Sequence, residues 1–138
     1  MRVSQGLDYI LRALTALAQR PPGTTLVAGD VALELGLPKR FLEQQFTLLA
    51  KHGIVECRRG AGGGCALARL AEDITVGEVV RAMQGDVLDV PHVSGSAVSE
   101  MWSEAAEALV TALDERDLAS LARRQTELDA AREPMYHI

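Results

Sequence analysis

The chain has 138 residues, 48% of them hydrophobic, 24% charged and 4% aromatic, with two cysteines, three histidines and a formal net charge of −5. At roughly 100 to 200 residues per domain this leaves room for one domain or a small domain with an appendage, in the composition range of folded chains. It excludes a disulfide scaffold, a four-thiolate metal site and an aromatic platform for single-stranded nucleic acid. No apolar run approaches the ~20 residues of a membrane span, and Met1-Arg2-Val3-Ser4-Gln5 lacks a signal-peptide core, so no membrane partner and a cytoplasmic location are expected. The charge is unevenly divided. Residues 1–69 hold nine Lys/Arg against five acids (+4), while residues 70–138 hold five against fourteen (−9). A basic amino-terminal half can meet a polyanion locally while the acidic remainder maintains solubility.

In chain order, Ser4 is suited to cap a helix whose Leu7, Ile10, Leu11, Leu14, Leu17 and Ala18 recur on one face. Pro21-Pro22-Gly23 breaks it, and Val27 to Leu35 follows as a short helix with Val31, Ala32 and Leu35 inward, closed by Gly36. Pro38 opens a third helix that reaches Lys51 and stops at Gly53. Its inward stripe is Leu42, Gln45, Phe46 and Leu49. Lys39, Arg40, Glu43, Gln44 and Thr47 occupy the opposite arc. Two short helices around a glycine turn, the second polar at its start, form the pattern of a helix-turn-helix.

Next, Ile54 to Cys57 and Cys65 to Ala68 have strand length and flank Arg58-Arg59-Gly60-Ala61-Gly62-Gly63-Gly64, a hairpin with a flexible tip. In such a wing the glycines let backbone approach a duplex, and Arg58 and Arg59 supply charge for phosphates or a narrow minor groove. Thr75-Val76-Gly77-Glu78 fits a capping box, followed by a buried face of Ile74, Val76, Val79, Val80 and Met83. Asp86 to Gly95 reads as a loop. Ser96 to Leu113 is an alanine-rich helix with Val98, Met101, Trp102, Ala105, Ala108, Leu109 and Leu113 at helical spacing, a face that a second copy of the chain would cover. A last helix runs from Asp117 to Arg132 with Leu118, Leu121 and Leu128 inward, before a frayed end at residues 134–138.

The strings Asp8 to Leu14, Leu35-Gly36-Leu37-Pro38, Phe41-Leu42-Glu43, Arg58 to Gly64 and Ile74 to Val80 together resemble the Rrf2 family of bacterial winged-helix regulators, closely over residues 1–85 and more loosely beyond. The fold class expected is mainly α with a small β-wing: a winged helix-turn-helix head at 1–85, a loop at 86–95, and a dimerisation helix and C-terminal helix at 96–138. The resemblance implies a homodimer whose long helices cross, placing two heads on a roughly palindromic operator in double-stranded DNA. It also implies roles for Glu43 as an acidic base reader and for Arg59 as the wing arginine in the minor groove. Lys39, Arg40, Gln44 and Thr47 join them from the helical arc. Pro38, Arg40 and Phe41 depart from residues common in the family, which alters the expected base preference.

Many relatives hold an iron–sulfur cluster on three cysteines before the dimer helix, but Asp86 to Met101 contains none, so neither cofactor nor metal is expected. Asp8, a cluster ligand in some members, then reads as a surface or capping acid, and His92 lacks the companions a metal needs. Cys57 and Cys65 lie on the two wing strands beside two arginines, where a redox switch is conceivable, but the simpler expectation is two small apolar side chains. His52 reads as a dipole partner at a helix end and His137 as part of the tail. The glycine cluster joins strands and lacks Gly-Lys-Ser/Thr, which argues against a phosphate loop, and no catalytic constellation is present. The function expected is a DNA-binding transcriptional regulator, a repressor rather than an enzyme, with a small-molecule or redox signal. The alternative is a winged-helix module that grips a protein partner.

Overall fold

The computed structural model describes residues 3–132, among which there are six α-helices and a two-stranded sheet. The expected frayed end and His137 lie outside the described residues. Helix α1 spans Gln5–Ala18, and the Leu7 amide donates to Ser4 Oγ at 3.1 Å, so the predicted cap forms. Helix α2 covers Ala28–Leu35, and Gly36 turns the chain at a φ of 69°, a left-handed conformation that glycine adopts without a Cβ penalty. The Leu37 amide donates to the Ala32 carbonyl at 2.8 Å, satisfying a free acceptor at the helix end. Helix α3, Lys39–Lys51, follows at once.

Strands β1 (Val55–Arg58) and β2 (Gly64–Leu67) pair antiparallel, with Val55 opposite Leu67 and Cys57 opposite Cys65. Both strands begin and end one residue from their expected limits. Ile54 is taken by the end of α3, where its amide donates to the Leu49 carbonyl at 3.0 Å. A single 3₁₀ turn at Ala71–Asp73 leads to α4, Val76–Gln84. Thr75 caps it as predicted, accepting from the Glu78 amide at 3.0 Å, but the reciprocal half of the capping box does not form: the Glu78 carboxylate pairs with Arg69. A charged partner within reach outcompetes a backbone amide.

After the irregular segment 85–96, α5 covers Ala97–Asp114 with Ser96 as its cap. The chain then folds back. Asp117 Oδ1 accepts from the Ser120 amide at 2.8 Å, and α6 (Leu118–Arg132) lies against α1. Leu118 is fully buried in the core formed by Ile10, Leu14, Leu42, Phe46, Leu49, Ile54 and Ile74, so the last helix contributes to the same interior as the helix-turn-helix. Leu121 is half-buried, whereas Leu128 is exposed rather than inward; in the later turns of α6 the contact with α1 is made by polar groups, Gln19 donating to Thr126 and Asp129.

Candidate nucleic-acid interface

The packing of α3 decides which of its side chains meet solvent. Leu42, Phe46 and Leu49 are buried against α1 and α2, and Gln45 is half-buried, so the opposite arc is held outward by the core itself. Lys39, Arg40, Glu43, Gln44 and Thr47 are all exposed on that arc, as their spacing predicts. Lys51 continues the line from Arg40 through Glu43, Gln44 and Thr47 and is also exposed; it is absent from the residues expected from sequence, although its four-residue step from Thr47 marks it.

Within the arc, Lys39 Nζ lies 3.9 Å from Glu43 Oε1, and the Thr47 hydroxyl donates to the Glu43 carbonyl at 3.0 Å. The first contact orients Glu43 while leaving it half exposed; the second leaves the Thr47 oxygen able to accept and its methyl free for apolar contact. The outer row thus combines a carboxylate, an amide, a hydroxyl and cations, the mixture that reads base edges and phosphates.

The wing continues directly from α3. Cys65 is bonded on one side to Leu26 in a small backbone bridge, amide to carbonyl in both directions at 2.8 and 2.9 Å, which fastens β2 to the segment before α2. Gly64 has a φ of 133°, and a Cβ there would stand 2.8 Å from the Leu26 carbonyl oxygen, so only glycine permits this approach. Beyond it the tip closes through the Gly63 amide on the Gly60 carbonyl at 2.9 Å, with Arg58 and Arg59 exposed. Cys57 and Cys65 are joined in a disulfide, which corrects the expectation of two independent apolar side chains: the register places them directly opposite, so each is the other's nearest partner.

Clustering of unpaired cations marks this surface. Arg12, Arg20, Arg69, Arg81, Arg124 and Arg132 each have a carboxylate partner. Arg40, Lys51, Arg58 and Arg59 have none among the described residues; Arg116 and Arg123 have none either, but they stand in the acid-rich half of the chain. Cations without a protein partner and held on one helix and its adjoining hairpin are available to an external polyanion. Elsewhere, two open concavities of about 840 and 880 Å³ flank α6, and no helix among the described residues is long and apolar enough to cross a membrane.

A family model described as Rrf2, iron-dependent transcriptional regulator, matches residues 3–124. An HTH-type transcriptional regulator of Mycobacterium tuberculosis is 30% identical over 131 residues, covering 88% of this chain and 81% of the relative. IscR of Escherichia coli is 28% identical over 140 residues, covering 95% and 86%. Among solved structures, CymR, the global cysteine regulator of B. subtilis, superposes with a TM-score of 0.82 at 27% identity, over 90% of this chain and 98% of that one. T. potens IscR superposes with a TM-score of 0.81 at 31% identity, over 99% and 97%.

The iron in that family description does not fit the residues present. The chain contains two cysteines, both consumed in the wing disulfide, and segment 85–96 contains none. Among the described residues no three His, Cys, Asp or Glu side chains converge as a metal site. A cysteine-ligated cluster therefore lacks its ligands, and Asp8 is engaged with Arg12 at 2.9 Å.

Proposed function

This chain belongs to the Rrf2 family of transcriptional regulators, with a winged helix-turn-helix fold and no enzymatic role, and from that premise we propose that it acts in the cytoplasm as a homodimeric repressor on a roughly palindromic operator. The observation that carries this reading is the row of exposed, mostly unpaired groups on α3 and the wing. Arg40, Gln44, Thr47, Lys51 and Glu43 form the helix face that enters a major groove, with Lys39 on phosphate and orienting Glu43. Glu43 accepts from a cytosine amino group, the pairing its chemistry favours. Arg58 and Arg59 extend from the hairpin to phosphates and the minor groove.

Residues 1–85 supply the reading head and, after the loop at 86–95, α5 supplies the assembly helix, while α6 returns to pack on the head. The dimer reading is supported by α5, whose Val98, Met101 and Trp102 remain 61%, 49% and 43% exposed. With Ala105 and Ala108 they make one apolar face whose small residues let a second α5 approach closely. Occupying the operator excludes polymerase, which is how a head and a dimer helix suffice for repression.

The test is selection of duplexes from a random pool followed by footprinting on the fragments recovered. The expected outcome is a protected site with two half-sites whose centres lie about one helical turn, ~34–36 Å, or a multiple of it apart. Failure to retain any duplex at low salt, or equal retention by R58A/R59A and the parent chain, overturns the assignment in favour of a protein partner.

A further inference from the structure

We propose that Cys57 and Cys65 are a thiol–disulfide switch, oxidised by hydroperoxides and reduced by dithiols, whose oxidised state holds the wing arginines in place for tight binding to a duplex. This rests on the proposed function, in which the wing meets DNA. The two cysteines are the only ones in the chain, and the register of the hairpin brings their Cα atoms to 4.0 Å.

Cys65 directs both its amide and its carbonyl toward Leu26, away from β1. In an antiparallel ladder that makes Cys57 and Cys65 a non-hydrogen-bonded pair, the pair type in which side chains stand closest and no backbone bond ties the strands. The covalent link is therefore the tie between β1 and β2 at that level. Farther out lie only the Arg58–Gly64 pair, the Gly63 to Gly60 turn and a long Thr25 hydroxyl contact to the Gly62 carbonyl at 3.4 Å. Arg58 and Arg59 follow Cys57 immediately. Opening the bond leaves a glycine-rich tip weakly held and its arginines free to wander; closing it fixes them before DNA arrives, reducing the ordering that binding must impose.

The sulfurs are unequal in a way that suits turnover. Cys57 is exposed and Cys65 is buried. In the reduced form the Cys57 thiolate attacks a hydroperoxide oxygen, cleaving the O–O bond and releasing water or an alcohol as Cys57 becomes a sulfenic acid. The Cys65 thiol then attacks that sulfur, expelling a second water and forming the disulfide, so two thiols and one peroxide give one disulfide and two hydroxyl products. In the other direction a dithiol attacks the exposed Cys57 sulfur and displaces the Cys65 thiolate; its second thiol then resolves the mixed disulfide. The bridge closes a short loop, a separation of eight residues, so cutting it removes little constraint from the whole chain. The core of Ile10, Leu42, Phe46 and Leu118 stands in both states.

The experiment uses the full chain, reduced with dithiothreitol or oxidised with one equivalent of hydrogen peroxide. Alkylation mass spectrometry counts two free thiols in the first and none in the second. Affinity is then measured on a duplex that the oxidised protein selects from a random pool, at fixed salt. The oxidised form is expected to bind about fivefold or more tightly, chiefly through slower dissociation. C57S, altered at the exposed sulfur, is expected to bind as the reduced form does and to ignore peroxide. Affinities equal within about twofold in the two states, a peroxide response that persists in C57S, or a disulfide that millimolar dithiothreitol leaves intact each overturn the switch. Binding that ignores redox state removes the switch alone, whereas recovery of no duplex in either state removes the DNA reading and the switch with it.

Discussion

Arg59 and Glu43 are both exposed and both charged, yet physics assigns them different effects. Arg59 has no partner among the described residues, so engaging a phosphate replaces counterions rather than an internal ion pair. Arg59→Ala is expected to weaken binding across sequences and to reduce the slope of log affinity against log salt by about 0.9 for each phosphate the side chain had neutralised, which a salt titration measures. An unchanged slope counts against a phosphate role. Glu43 sits beside Lys39 on the helix face, where a carboxylate accepts from cytosine and repels other groups. Glu43→Ala is expected to relax base preference at one position per half-site by about 1–3 kcal/mol while altering overall affinity less, read by reselection from a random pool. Identical selected sequences would refute it.

At the scale of elements the hinge between strand and helix depends on a backbone shape. Gly64→Ala places a Cβ against the Leu26 carbonyl at a φ of 133°, so destabilisation of about 1–3 kcal/mol is expected in denaturant melts, with the loss centred on the wing. Leu118→Ala opens a cavity in the common core and is expected to cost about 2–5 kcal/mol, which tests whether α6 is integral to the head. Where α6 meets α1, Asp129 is held below the ordinary carboxylate range by hydrogen bonds from Gln125 and Gln19. Its folded value lies below its unfolded one, so its contribution is complete at neutral pH and fades only as pH falls below 3.8. The sequence made most elements legible because apolar spacing, Ser4, Thr75, Gly36 and the glycine tip each act locally. The arc on α3 was legible for the same reason, since burying Leu42, Phe46 and Leu49 leaves only one orientation for its polar neighbours. Contacts remote in sequence were not. The return of α6 onto α1, the pull of Arg69 on Glu78, the Leu26 bridge and the union of Cys57 with Cys65 all depend on which segments the fold brings together.

Across the whole molecule, affinity for a palindrome requires two heads held at one spacing, and in the proposed dimer α5 is the element that would set it. Its 18 residues span about 27 Å, and its inner side is tied to the head by Arg81 on Asp114 at 2.9 Å and to the preceding loop by the Val93 amide on Ser99 Oγ at 3.0 Å. That leaves Val98, Met101, Trp102, Ala105 and Ala108 facing out together, an apolar face on an otherwise acidic half. The acids of that half disfavour contact with DNA, while its apolar stripe is the surface the proposed dimer would cover. Trp102 lies outside the buried clusters, so W102E is expected to leave the head's thermal transition in place and to convert the dimer to a species of 14.8 kDa in sedimentation. Because each head alone then faces its half-site without a linked neighbour, affinity for the full site should fall by a factor of about 10² or more, toward that for a single half-site. A W102E protein that stays dimeric, or one that becomes monomeric yet binds the full site as the parent does, would show that the two heads are not coupled through this helix.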